Sequence, residues 1–117
     1  MIRKYLFSFF FLTVTAILTN AQISVNQSSS YYYIKGNAAN SLPANWMDSN
    51  YNPTGWSVGN SPFWYGDGSG GTVIAEMQNS FSTIYLRKKF TAQNISELGE
   101  VLLSVNYDDG FIIWING

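Results

Sequence analysis

Val101-Leu102-Leu103-Ser104-Val105-Asn106-Tyr107, then Asp108-Asp109-Gly110, then Phe111-Ile112-Ile113-Trp114-Ile115 is the stretch that decides the fold class. Val101, Leu103, Val105 and Tyr107 fall at every second position, with Ser104 and Asn106 opposite them. That period predicts a strand with one buried face. Phe111 to Ile115 is apolar throughout, which predicts a strand covered on both sides in the middle of a sheet. The three residues between them end in glycine and predict a hairpin turn with Gly110 at positive φ. Asp108 and Asp109 admit a second reading, as a metal-binding or catalytic pair. Adjacent turn residues point apart, and aspartate favours turns by bonding nearby backbone amides, so the turn is the preferred reading.

Working outward, the same grammar recurs. Ile84 to Phe90 predicts a strand, with Ile84, Leu86, Lys88 and Phe90 on one face and Tyr85, Arg87 and Lys89 on the other. Lys88 interrupts the apolar face, so it is expected either to sit near the strand end or to extend its stem over apolar surface. Ile23 and Val25 alternate with polar residues, and Tyr31 to Ile34 suits another extended segment. No window holds a helical period with caps at both ends. Short apolar runs bounded by Gly, Asn, Ser and Pro predict an all-β domain. Between Gly36 and Gly71 the chain is polar but carries Trp46, Trp56, Phe63, Trp64 and Tyr65. Disordered linkers lack such residues. Each ring can bury roughly 150–250 Å², so this is expected to be a long ordered loop region pinned by its aromatics.

The N-terminus follows a different rule. Arg3 and Lys4 precede an uncharged run from Tyr5 to Leu18, and Thr19-Asn20-Ala21 precedes Gln22. A basic start, a short apolar core and a small-residue exit predict a secretory signal peptide over residues 1–21. A membrane anchor needs about 20 uninterrupted apolar residues, and this run is shorter and contains Ser8, Thr13 and Thr15. The expected location is therefore secreted or at the cell surface, with no membrane span after cleavage. The domain is then residues 22–117, carrying Lys35, Arg87, Lys88 and Lys89 against seven acids. An acidic surface gives no electrostatic reason to bind nucleic acid.

The chain contains neither cysteine nor histidine. Disulfides, the usual zinc ligand sets, the Ser-His-Asp triad and the Cys-His dyad are all excluded. A carboxylate-only mechanism stays open, but no catalytic residue stands out and the chain is not expected to be an enzyme.

Three motifs in order carry a resemblance. Trp56-Ser57-Val58-Gly59, followed by Ser61-Pro62-Phe63-Trp64-Tyr65-Gly66, resembles the "W-x-x-G-x-s-P-(L/F)-G-Y-G" segment of galactose-binding-domain-like modules. Tyr85-Leu86-Arg87-Lys88-Lys89-Phe90 is similar to their "Y-F-R-K-x-F" strand, and Tyr107 to Gly117 to their "x-D-D-G-x-x-(V/I)-Y-(L/I)-N-G" hairpin. The matched positions include Trp56, Gly66, Arg87, Gly110, Asn116 and Gly117. The resemblance implies an all-β jelly-roll β-sandwich, a non-catalytic part of large secreted bacterial proteins. It also implies sugar binding through end loops in some members and a structural calcium ion in others, although no matching calcium-ligand motif is present here. Asn116-Gly117 is a two-residue hairpin signal with no strand after it, so the sandwich is expected to be incomplete at its C-terminus, with further domains downstream.

Trp64 departs from the pattern, standing where relatives commonly have glycine. It reads either as a ring folded onto the sandwich or as a stacking platform for a sugar, with Tyr65 beside it and Asp67 accepting hydroxyl hydrogen bonds. The expected function is a carbohydrate-binding or adhesion module whose partner is a polysaccharide or cell-surface glycan. Two alternatives are a purely structural spacer and the leading module of a secreted hydrolase.

Overall fold

Tyr31-Tyr32-Tyr33-Ile34 is a run of aromatic and β-branched residues, the types that fit a pleated surface, and it forms the centre of the fold. The computed structural model describes residues 25–97 and 99–117; the leader expected over residues 1–21 lies outside them. Strand β1 (Ser30–Lys35) pairs antiparallel with β2 (Ser57–Asn60) on one side. On its other side it pairs antiparallel with β5 (Ile84–Arg87). A second, two-stranded sheet joins β3 (Phe63–Trp64) and β4 (Thr72–Val73) in parallel. The only helices among the described residues are 3₁₀ turns at Ala75–Met77 and Ile95–Glu97. The chain is all-β in character.

Register assigns the faces. Tyr31 lies opposite Gly59, and Tyr33 opposite Ser57 and Leu86. Directly paired residues share a face, so Tyr31, Tyr33 and Lys35 point one way and Tyr32 and Ile34 the other. Phe63 packs on the first face, its ring 6.0 Å from Tyr31 and 5.3 Å from Tyr33, both edge-on. Gly59 makes that approach possible. A Cβ there would come within 2.5 Å of Thr72 Oγ1 and 3.0 Å of the Phe63 ring. Ile74, just past β4, is the most deeply buried side chain, at 1 % exposure.

The opposite face is covered by the loop between β1 and β2. It is a chain of tight turns, closed by bonds from Trp46 N to Pro43 O (3.1 Å), Tyr51 N to Asp48 O (3.0 Å) and Trp56 N to Pro53 O (3.0 Å). Trp46 stacks on Trp56 at 6.1 Å and meets Tyr85 of β5 edge-on at 5.4 Å, while Tyr51 leans on Trp56 at 6.0 Å. Trp56 is buried. Ring pairs of this kind contribute about 0.5–1.5 kcal/mol each beyond the area they bury, enough to order a loop with few ladder bonds.

Four expectations are corrected. Among the described residues strand pairing begins at Ser30, and Val25 is exposed outside any strand, while Ile23 lies outside the described residues. The strand expected over Ile84–Phe90 stops at Arg87, and Lys88, just past its end, donates from Nζ to Ser30 O (2.9 Å) and lies over the Tyr31 ring. Val101–Tyr107 and Phe111–Ile115 are not strands, and every residue from 101 to 117 is exposed. Alternation encodes a face to bury, but a ladder needs a partner edge, and among the described residues no strand pairs with this segment. Gly110 is not at positive φ; Asp109 takes the left-handed conformation instead, at φ +73°. Aspartate tolerates that region because its short polar side chain bonds locally. The chain still bends at Asp108-Asp109, with the Tyr107 and Phe111 rings 4.6 Å apart across the bend. Asn116 (φ +62°) and Gly117 (φ +99°) both have the positive φ of a type I′ pair. Trp114 ties this segment to the rest by an edge-on contact with Trp46 at 5.4 Å.

Candidate functional site

Strand β3 delivers Phe63 and Trp64 onto the sheet, and the chain then loops through Tyr65 to Gly71 before returning as β4. Bonds from Thr72 N to Pro62 O and from Ile74 N to Trp64 O, both 2.8 Å, hold the two ends of the loop together. Gly66, Gly70 and Gly71 all sit at positive φ within it. At Gly71 an added Cβ would run into the Pro62 backbone, so a residue with a side chain cannot close the loop there.

Trp64 is half-buried and turned into its own loop. Its indole Nε1 donates to Gly70 O at 2.5 Å. The ring lies so close on Gly68 that a Cβ at that position would meet the indole Cγ at 2.6 Å. This is the geometry of a plug, with one ring face spent on the loop backbone. Tyr65 is the next residue and the solvent-facing ring, 44 % exposed. Asp67 is exposed in the same loop, two positions on. The structure therefore brings Trp64, Tyr65 and Asp67 together in one loop but divides their roles: Trp64 braces, Tyr65 and Asp67 face outward.

The other residues singled out from the sequence lie elsewhere. Asp108 and Asp109 are exposed at the turn. Among the described residues no three acidic side chains gather as a metal would require. Trp56 is a core residue and Gly66 a positive-φ loop residue. Arg87 has the more informative position. From β5 it reaches the loop that covers the sheet, donating from Nη1 to Trp46 O (2.9 Å) and from Nη2 to Asp48 O (2.6 Å). Longer contacts run to Ser49 O and Tyr51 O, both 3.3 Å, and the guanidinium stands 5.4 Å from the Tyr51 ring centre. Its Nε is buried with no partner among the described residues.

Beside this clamp is a surface that sequence reasoning missed. Tyr32, Asn50, Tyr51, Asn52, Pro53, Arg87 and Lys89 line an open cleft of about 370 Å³. Tyr32 pairs across the sheet with both Val58 and Arg87, which puts its ring on the covered face, and the 50–53 turn forms the opposite wall. No local pattern could have revealed a site shared by β1, β5 and a loop.

On the other face Lys35 and Glu76 form an exposed ion pair. The hydrogen bond between them raises the Lys35 pKa and lowers that of Glu76. Burial raises the Tyr31 hydroxyl pKa. No helix among the described residues is long and apolar enough to cross a membrane. Comparison with protein-family models, with curated proteins and with solved structures finds no match to this chain.

Proposed function

We propose that this chain is a non-catalytic carbohydrate-binding or adhesion module of an exported protein, with a fold of the galactose-binding-domain-like jelly-roll kind. The observation that carries the reading is Tyr65, an exposed ring beside Asp67 on a loop braced from within by Trp64. An aromatic face suits the apolar C–H patches of a pyranose ring, and a neighbouring carboxylate accepts hydrogen bonds from its hydroxyls. Bracing matters because a ring held in place before binding loses little freedom on binding. The Trp64 bond and the β3–β4 ladder supply that rigidity. A shallow site of this kind should give Kd values on the order of 10 μM to 1 mM.

The three ordered motifs, the leader-like N-terminus and the absence of histidine and cysteine support the same reading. Export implies a mature chain starting at Gln22, checked by intact-mass analysis of secreted material. A glycan array probed with the full chain tests the function. Binding to a defined set of neutral glycans supports it. An array blank at millimolar ligand, before and after added calcium, rejects it in favour of a spacer.

A further inference from the structure

We propose a second ligand site, for an acidic sugar residue, in the cleft between the sheet and the turn at residues 50–53. It is independent of the Tyr65 loop and requires a different ligand. The reasoning starts from charge. Arg87 directs its guanidinium to backbone carbonyls, and no carboxylate among the described residues lies within ion-pair distance of it. Carbonyl dipoles orient the cation without cancelling its net charge. Lys89 is exposed on the same rim and also has no ion pair among the described residues. The cleft therefore holds two positive charges without an ion-pair partner among the described residues, offset in part by Asp48, whose backbone carbonyl is bonded to Arg87. With Asp48 set against Arg87, the rim keeps a net positive charge at Lys89, and repulsion from acids farther off is screened beyond about 8 Å at physiological salt.

The remaining lining selects a sugar among anions. Tyr32 is 45 % exposed and Tyr51 forms part of the facing wall. The Tyr32 ring offers an apolar face for a pyranose, while the Tyr51 ring, held between the Arg87 guanidinium and Trp56, shapes the wall opposite. Asn50 and Asn52 each offer a carbonyl acceptor and two amide donors suited to vicinal hydroxyls. The volume of about 370 Å³ lies within the range of small-ligand pockets. Lys89, a mobile point charge on a flexible stem, can reach a carboxylate projecting from the sugar. Arg87 is a positioning residue here: its two terminal nitrogens are committed to the loop, and it fixes the wall while contributing field.

Calorimetric titration of the full chain with an oligomer of hexuronic acid, the same oligomer methyl-esterified, and a poly-glutamate peptide of equal charge tests the assignment. The acidic oligomer is expected to bind, more weakly as salt rises. Esterification and Lys89→Ala should each weaken it about five- to tenfold. Lys89→Arg should retain most of the affinity. Tyr32→Ala, with an unchanged melting curve, should lower affinity by a similar factor, and Tyr65→Ala should leave it unaltered. Equal binding of the esterified oligomer, parent-like binding by Lys89→Ala, or no binding of the acidic oligomer overturns the site. Poly-glutamate binding as tightly as the uronate overturns its assignment to a sugar. Loss of acidic-oligomer binding in Tyr65→Ala would place that ligand on the Tyr65 loop and overturn the second site, while leaving the first reading intact.

Discussion

Arg87 joins β5 to the loop that covers the sheet, and replacing it with methionine isolates what that clamp contributes. Methionine keeps most of the aliphatic stem and the β5 backbone while deleting the guanidinium. Two of the bonds lost are of good length, to Trp46 O at 2.9 Å and Asp48 O at 2.6 Å; the two at 3.3 Å add little. A hydrogen bond from a charged donor contributes about 1.5–3 kcal/mol net, and partial exposure here favours the low end. Opposing this, the parent leaves Nε buried without a partner, a desolvation cost of about 1–3 kcal/mol that the variant escapes. The carbonyls left behind can be hydrated because the loop is superficial. Loss of the cation over the Tyr51 ring adds about 0.5–1 kcal/mol, so the net expectation is a loss of about 0.5–3 kcal/mol. Arg87→Lys should lie between parent and Arg87→Met, since one ammonium cannot span both carbonyls as the planar fork does. Urea denaturation read by tryptophan fluorescence is the assay, because Trp46 and Trp56 report on the clamped loop. A midpoint for Arg87→Met equal to that of the parent would refute the clamp.

Further expectations concern the core, the glycines and the surface ion pair. Trp56→Ala should cost about 3–5 kcal/mol, as truncation of a buried Trp does, measured by the same denaturation. Gly71→Ala should be far worse than Gly66→Ala: both sit at positive φ, but only Gly71 would also drive a Cβ into the Pro62 backbone, whereas the space at Gly66 is open. Differential scanning calorimetry of the pair checks the order, and the Gly66 variant should lose only about 1 kcal/mol. The Lys35–Glu76 pair makes a signed pH prediction. Glu76 is held below its ordinary value of 4.5 by the Lys35 hydrogen bond, so its stabilisation is present above that pH and fades as pH falls through the lowered value. Lys35 is raised above 10.5, so its part is present below that pH and fades as pH rises through the raised value. Melting temperatures of parent and Glu76→Gln should therefore differ slightly near neutrality and converge in strong acid.

How far the sequence carries a reader depends on whether the information is local. Tyr31 to Ile34 and Ile84 to Arg87 became strands because each carries its own β-forming pattern and lies beside a partner. Val101 to Ile115 has as good a pattern and no ladder, since alternation specifies a face but not the edge that must receive it. Asp109 took the positive φ expected of Gly110 because turn type depends on how the flanks approach, which three residues do not encode. At the candidate site, the aromatic run Phe63-Trp64-Tyr65 was visible at once, whereas the division of labour within it was not. Whether Trp64 plugs or presents depends on Gly68 and Gly70 folding back beneath it. The cleft at Tyr32, Tyr51 and Lys89 was illegible because it exists only once β1, β5 and the covering loop are assembled.

Titration of the strongest neutral glycan from the array into the parent chain, Tyr65→Ala and Trp64→Ala tests the proposed binding role most directly. Tyr65→Ala should weaken binding about tenfold or more, roughly 1.4 kcal/mol, with an unchanged melting temperature. Trp64→Ala should weaken binding and lower stability together, because it removes the brace as well as an indole. Parent-like affinity in Tyr65→Ala, or binding by Trp64→Ala that is lost with no change in melting, would contradict the assignment of Tyr65 as the sugar-facing ring and Trp64 as its support.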